Sequence, residues 1–168
     1  MKLAVDVDYR GDRAHVAGVL FTNWNDEMPV KVIHAIIDKV EPYEAGSFYK
    51  REMPCILSLI DKFELELDFL VIDGFVTLGK EGIAGLGYHV WNAVNGRFPV
   101  IGMAKNRYKD HDEKTEVYRG ESAKPVMVTS IGVSIDEAKD NIKGMHGMYR
   151  IPTLLKLADS ECRALAKT

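Results

Sequence analysis

The sequence predicts an α/β fold whose mixed sheet opens as an antiparallel meander, continues with parallel strands, and is flanked by helices. Three observations predict it. Alternating segments joined by short, turn-rich links occupy residues 3–37, the pattern of consecutive hairpins. Two continuous apolar runs, Phe69 to Ile72 and Pro99 to Ala104, lie on either side of a helical stretch. Such runs mark strands buried on both faces, and strand–helix–strand succession implies a parallel pair with a right-handed crossover.

Taken in order, Leu3 to Tyr9 alternates as a strand, and Gly11-Asp12 turns the chain into a second, His15 to Thr22. Turn formers fill Asn23 to Pro29, and Val30 to Ile37 reads as a third strand. Glu41 to Ser47 is a loop. A helix follows through Cys55 to Phe63, with Pro54 suited to its first turn. After the run ending at Asp73-Gly74, Leu78 to Gly82 reads as a loop, Ala84 to Val94 as a helix and Pro99 to Ala104 as a strand. Lys105 to Lys124 is polar, with one strand near Val117, and Val126 to Ser130 is a further strand. Ser134-Ile135-Asp136-Glu137 has capping-box spacing and opens a helix to about Lys143. Pro152 stands at the start of the last helix, where Leu154, Leu155, Leu157 and Ala158 form an apolar stripe.

The 168 residues suit a single domain, 1–168, with one sizeable core. A 46% hydrophobic and 28% charged composition excludes disorder, collagen-like sequence and a disulfide scaffold. The formal charge of -3 argues against coating nucleic acid through a bulk positive field. Cys55 and Cys162, far apart and without zinc-site spacing, suit a reducing compartment and small buried positions. The N-terminus meets Asp6 too early for a signal peptide, and no window reaches membrane-span length. A cytoplasmic protein without a membrane partner is expected.

Acids inside apolar strands are the unusual feature. Period two puts Leu3, Val5 and Val7 on one face and Asp6 and Asp8 on the other. A buried carboxylate is costly unless it is paired or ligates a metal. Asp73 ends the Phe69–Ile72 run, where open α/β sheets collect ligand groups, although Asp-Gly also makes an ordinary turn. Asp8 equally suits a solvated edge. Two such aspartates can form a hard-cation site, and Lys105, at the end of the next strand, can hold a phosphate beside it.

In these motifs the chain resembles the endonuclease V family of metal-dependent nucleases. Val5-Asp6-Val7 with Tyr9 resembles its first-strand motif. Pro42-Tyr43-Glu44-Ala45-Gly46 and Phe48-Tyr49-Lys50-Arg51-Glu52-Met53-Pro54 resemble its Pro-Tyr-x-Pro-Gly and Phe-Arg-Glu-Gly-Pro stretches. Val71-Ile72-Asp73-Gly74 and Pro99-Val100-Ile101-Gly102-Met103-Ala104-Lys105 follow in family order, then Lys124-Pro125-Val126 and Tyr149-Arg150-Ile151-Pro152 with Leu157-Ala158-Asp159.

The resemblance implies a ribonuclease H-like fold and a metal-dependent endonuclease. Its metal carboxylates would be Asp6, Glu52 and Asp73, holding Mg²⁺ or alternatively Mn²⁺, with Lys105 as the phosphate contact. Tyr43 would be the wedge left when a deaminated base leaves the stack, and Gly46 and Gly74 would let backbone amides approach that base. The implied reaction is hydrolysis of a phosphodiester 3′ to inosine, in DNA or RNA, as nucleic-acid repair or processing. Lys50, Arg51, Lys105, Arg107 and Lys109 would supply a basic rim.

Two departures follow. The family's metal-site histidine stretch is Ser130-Ile131-Gly132-Val133-Ser134 here, without a histidine; His111 and His146 are the candidate substitutes, though each better suits a solvated loop. A base-pocket glycine of the family falls at Val76, within Asp73-Gly74-Phe75-Val76. A homologue that binds nucleic acid with weak or altered cleavage, or a small-molecule phosphohydrolase on the same fold, are the alternatives.

Overall fold

The structure, a computed structural model, describes residues 1–166 except Tyr43 and Gly46. Strands β1 (Lys2–Arg10), β2 (Arg13–Phe21) and β3 (Lys31–Ile37) form the expected antiparallel meander. Helix α1 (Phe48–Lys62) leads to β4 (Phe69–Asp73), followed by the two-residue strands β5 (Thr77–Leu78) and β6 (Ile83–Ala84). Helix α2 (Leu86–Ala93), β7 (Val100–Ala104), a 3₁₀ turn at Glu113–Thr115, β8 (Glu116–Val117) and β9 (Val126–Ile131) come next. Helices α3 (Ile135–Lys143) and α4 (Thr153–Ala166) complete it.

The main sheet has seven strands in the order β3-β2-β1-β4-β7-β9-β8. β1 pairs with β4 and β4 with β7 in parallel, as the strand–helix–strand pattern predicts. β9 then runs antiparallel to β7, and β8 antiparallel to β9, so the parallel part is confined to the centre. This is the mixed, helix-flanked sheet of the ribonuclease H-like architecture.

Alternation across the central strands divides the core. Leu3, Val5, Leu70 and Ile72 face Ile56, Leu59 and Val90 of α1 and α2. Ala4, Val71, Ile101 and Val128 face Ala138, Ile142, Leu154 and Ala158 of α3 and α4. The parity puts Asp6 on the α3–α4 side, with Ala4, and Asp73 there with Val71.

Two elements differ from expectation. α1 begins at Phe48, so Pro54 sits inside the helix rather than in its first turn. The cost is small at this point because Pro54 and Lys50 are both exposed, and solvent can take the carbonyl that proline leaves unbonded. The segment read as a loop at Leu78 to Gly82 instead links the antiparallel β5–β6 pair.

Arg119 holds the chain leading into α4. It is 4% exposed, and its Nη1 and Nη2 donate to the carbonyls of Tyr149 and Met145, each at 2.6 Å, and more weakly to those of Arg150 and Gly147. The loop that presents Tyr149 and Arg150 is thereby fixed to the β8 side of the sheet.

Candidate metal centre

The register Val5↔Ile72 between β1 and β4 places the next residues, Asp6 and Asp73, side by side at the ends of the parallel strands. Asp6 is buried and accepts from the Val7 amide at 2.9 Å. Gly74, at φ 141, lets the chain leave Asp73 in a direction most residues resist, and its amide donates to the Met103 carbonyl.

Glu52 approaches from α1, near enough for Asp6 and Asp73 to act on its charge. The ligand atoms of these three predicted acids do not, however, all lie within 4.8 Å of one another. Glu52 heads the helical series 52, 55, 56, 59, 60, whose other members Cys55, Ile56, Leu59 and Ile60 form the helix's buried face. An acid at a core position of that stripe was the available sequence signal. Glu52 is 5% exposed, and its Oε2 has no hydrogen-bond partner.

Lys105 follows β7 directly, its Nζ 3.7 Å from Asp73 Oδ2. Arg150 Nη1 donates to the Lys105 carbonyl at 2.8 Å and to that of Pro125 at 3.2 Å, fixing the strand exit.

The structure adds Asp159 of α4, to which sequence reasoning gave no role. One ligand atom each from Asp6, Asp159 and Cys162 lies within 4.8 Å of the others. Leu154 and Ala158, the buried stripe of α4, lay this turn of the helix against the sheet. Asp159 lies beside that stripe, half-buried, where an acid is ordinarily solvated; its signal was correspondingly faint.

Electrostatics tie the acids together. Burial, then the neighbouring Asp73, pushes Asp6 up to about 7. Burial, then Asp6 and Asp73, pushes Glu52 up to about 8. Asp73 is also raised, by burial and Asp159, with Lys105 opposing. Asp159 retains a partner of its own, Arg163 Nε at 2.8 Å. Burial and the facing acids Asp6, Asp159 and Asp8 push the Cys162 thiol up to about 12.

These donors fit a divalent cation. They are mostly hard oxygens, as Mg²⁺ or Mn²⁺ requires, and an orphaned buried carboxylate oxygen among like charges is unfavourable without a positive partner. A candidate metal-binding cluster therefore exists at the ends of β1 and β4.

The other sequence candidates fall elsewhere. Tyr43 and Gly46 lie outside the described residues. Asp8 pairs with Arg10 at 3.1 Å, His111 with Glu116 at 3.0 Å, and His146 bonds Thr153 Oγ1 at 2.9 Å; neither histidine belongs to the ligand group around Asp6. Of the basic rim, Arg107 is drawn to Glu116 at 2.9 Å, and the Arg51 guanidinium lies 3.8 Å over the Tyr9 ring. Arg107 and Lys124 nonetheless line one cavity beside Lys105, and Arg150 and Lys156 another.

A cavity of about 540 Å³ opens beside Gly74, lined by Tyr49, Phe75, Leu86, Tyr108 and Lys109 among others. Phe75 and Tyr108 meet edge to face, ring centroids 6.4 Å apart. Val76, placed in a base pocket by the resemblance, is instead fully buried in the core. Its amide donates to Thr129 Oγ1 at 2.8 Å, and its side chain crowds Gly87. The reversal follows from β-like alternation after Gly74: Phe75 points to the cavity and Val76 away from it.

The family profile described as Endonuclease V matches residues 3–132. The chain belongs to the endonuclease V family. The Streptomyces avermitilis endonuclease V is 30% identical over 147 residues, 75% of this chain and 62% of that protein. The chain thus spans about three fifths of that relative's length. A crystal structure of the S. avermitilis endonuclease V superposes with a TM-score of 0.76 at 27% identity, covering 98% of this chain and 80% of that one. The Ciona intestinalis endonuclease V, solved with a 24mer DNA containing an inosine followed by a ribo-adenosine, shares the fold at 21% identity and a TM-score of 0.79, covering 99% of this chain and 85% of that one. Asp6, Glu52, Asp73 and Lys105 lie inside the endonuclease V match and Asp159 beyond it. No described helix is long and apolar enough to cross a membrane.

Proposed function

We propose that this chain is a metal-dependent endonuclease of endonuclease V type, hydrolysing a phosphodiester 3′ to inosine in DNA or RNA. The observation that carries the reading is the meeting of Asp6 and Asp73 at the ends of paired strands, with Asp159 within reach of Asp6 and Lys105 beside Asp73. A binding module has no need to hold buried acids against one another.

In this reading Asp6, Glu52 and Asp73, joined by Asp159, hold Mg²⁺ or Mn²⁺. When bound, the cation supplies Lewis acidity toward a phosphoryl oxygen and acidifies water for in-line attack. Lys105 offsets the negative charge that grows on the phosphoryl oxygens, and its tether through Arg150 limits how far it can drift from Asp73. The cavity beside Gly74 receives the extruded base, with Phe75 and Tyr108 offering aromatic faces and edges. Tyr43 fills the vacated stack, and the backbone at Gly46 and Gly74 reads the base edge. The Ciona relative's inosine-containing DNA supports this choice of substrate. Lys124, Arg150 and Lys156 track the neighbouring phosphates.

The test is an end-labelled oligonucleotide carrying one inosine, as DNA and as RNA, incubated with Mg²⁺ or Mn²⁺ beside the Asp73→Ala variant. Metal-dependent nicking one bond 3′ to inosine, lost in the variant, is expected. Binding without nicking, or neither, overturns it.

A further inference from the structure

Cys162 is a ligand-bearing side chain among the acids that the proposed reaction does not use. Its Sγ and one oxygen each of Asp6 and Asp159 lie within 4.8 Å of one another, close enough for a single ion to touch all three. The helix arranges this: Asp159 and Cys162 are three residues apart and share a face of α4. Cys162 is 1% exposed, and its thiol's own hydrogen bond is a donation to the Asp159 carbonyl at 3.2 Å, which leaves the sulfur lone pairs uncommitted.

A second observation points to a cation at this end of the sheet. Glu52, more than nine-tenths buried on α1, carries an Oε2 without a hydrogen-bond partner. Nothing among the described protein groups satisfies that oxygen, and a nearby cation would offset its charge.

We propose that Cys162 is a ligand of this centre, making it a mixed oxygen–sulfur site that takes thiophilic divalent cations such as Zn²⁺ and Cd²⁺ more tightly than carboxylates alone would. The proposal rests on the metal-site reading above and adds the thiol to it. Sulfur contributes little to Mg²⁺ but strongly favours softer ions. Two carboxylates and one thiolate make three protein ligands, the number found in zinc sites that keep an open position. On binding, the thiol proton passes to solvent. A thiophilic ion so held occupies Asp6 and competes with Mg²⁺ for it.

The test is a Cd²⁺ titration followed by sulfur-to-metal charge-transfer absorption in the ultraviolet, on the native chain and on Cys162→Ser, Cys162→Ala and Cys55→Ser. Mn²⁺ binding is measured on each by electron paramagnetic resonance. The band is expected in the native chain and Cys55→Ser and absent from both Cys162 variants. Their Cd²⁺ affinity should fall at least as far as the loss of an outer-shell partner costs, about tenfold to a hundredfold. Mn²⁺ binding should persist in all four. Mn²⁺ binding with no band, or with a band that survives Cys162→Ser, overturns the thiol ligand and leaves the carboxylate site standing. Failure of the native chain to bind either ion overturns both.

Discussion

Lys105 Nζ stands 3.7 Å from Asp73 Oδ2, an ion pair too long for a hydrogen bond. The two groups are therefore in each other's field without being locked together, and the ammonium remains free to donate to a third group. Each partner sits at the C-terminal end of a parallel strand, and the β4–β7 register brings those ends together.

Replacing Lys105 separates its charge from its position. Lys105→Met is expected to lower single-turnover cleavage of an inosine oligonucleotide by about a hundredfold to a thousandfold, the usual cost of one donor aimed at developing charge. Lys105→Arg should recover part of the rate. Metal binding should persist in both, since Lys105 repels a cation rather than ligating it. A Lys105→Met variant that cleaves at the native rate would remove the residue from the reaction.

The acids predict an inverted pH dependence of stability in metal-free protein. Asp6 and Glu52 titrate at about 7 and about 8 in the fold, against 3.8 and 4.5 in ordinary surroundings. The folded state therefore holds protons that the unfolded chain has already released, and stability falls as pH rises through that window. The loss is on the order of a few kcal/mol and is complete above the folded values. Urea melts in chelator should show lower midpoints at about pH 8.5 than at about pH 5.5. Mg²⁺ or Mn²⁺ should restore most of the difference, acting chiefly at the higher pH. Glu52→Gln, which keeps the shape without the charge, should raise the metal-free midpoint at high pH and weaken the cation's effect.

How far the sequence discloses such a centre depends on the element carrying each acid. The placement of Asp6 and Asp73 was legible because period two and a strand end give an acid a definite direction. Glu52 could have been read from the apolar series it heads, but only with the start of α1 at Phe48, which Pro54 disguised. Asp159 was not legible, because an acid beside a helical stripe is ordinarily solvated until the helix docks. Strand order had the same limit. The β4–β7 crossover is local and was predicted, while the antiparallel return of β9 depends on where a polar twenty-residue connection crosses the sheet.

Gly102 is the residue on which the site's floor depends. A methyl group built there would lie 2.5 Å from the Gly74 carbonyl oxygen and 2.9 Å from both Thr129 Oγ1 and the Val76 amide nitrogen. Two of these are backbone atoms and the third accepts the Val76 amide bond, so none can yield independently. Gly102→Ala should destabilise the protein by about 1–3 kcal/mol in urea melts, the range for overpacking a filled core. It should also reduce cleavage beyond what the lost stability explains, because Gly74 follows Asp73. A variant as stable as the native chain would mean that the β4–β7 approach relaxes without cost.

Arg119 tests whether the loop before α4 is part of the site's architecture. Four carbonyls, of Met145, Gly147, Tyr149 and Arg150, depend on its guanidinium, and the same loop carries the Arg150 that grips Lys105. Arg119→Met keeps much of the side chain's bulk and removes every donor. It should cost about 1–3 kcal/mol, because the buried Met145 carbonyl is left unpaired while solvent can reach the others. Arg119→Lys should recover only part of this, since one ammonium cannot span carbonyls that a planar fork reaches from two nitrogens. Hydrogen exchange should then rise through residues 145–152 ahead of global unfolding, and α4 should loosen with them. That would draw Asp159 away from Asp6 and weaken Mn²⁺ binding, though Arg119 touches no ligand. Unchanged exchange in that loop would show that α4 is held by its own apolar face, through Leu154 and Ala158, without help from the clamp.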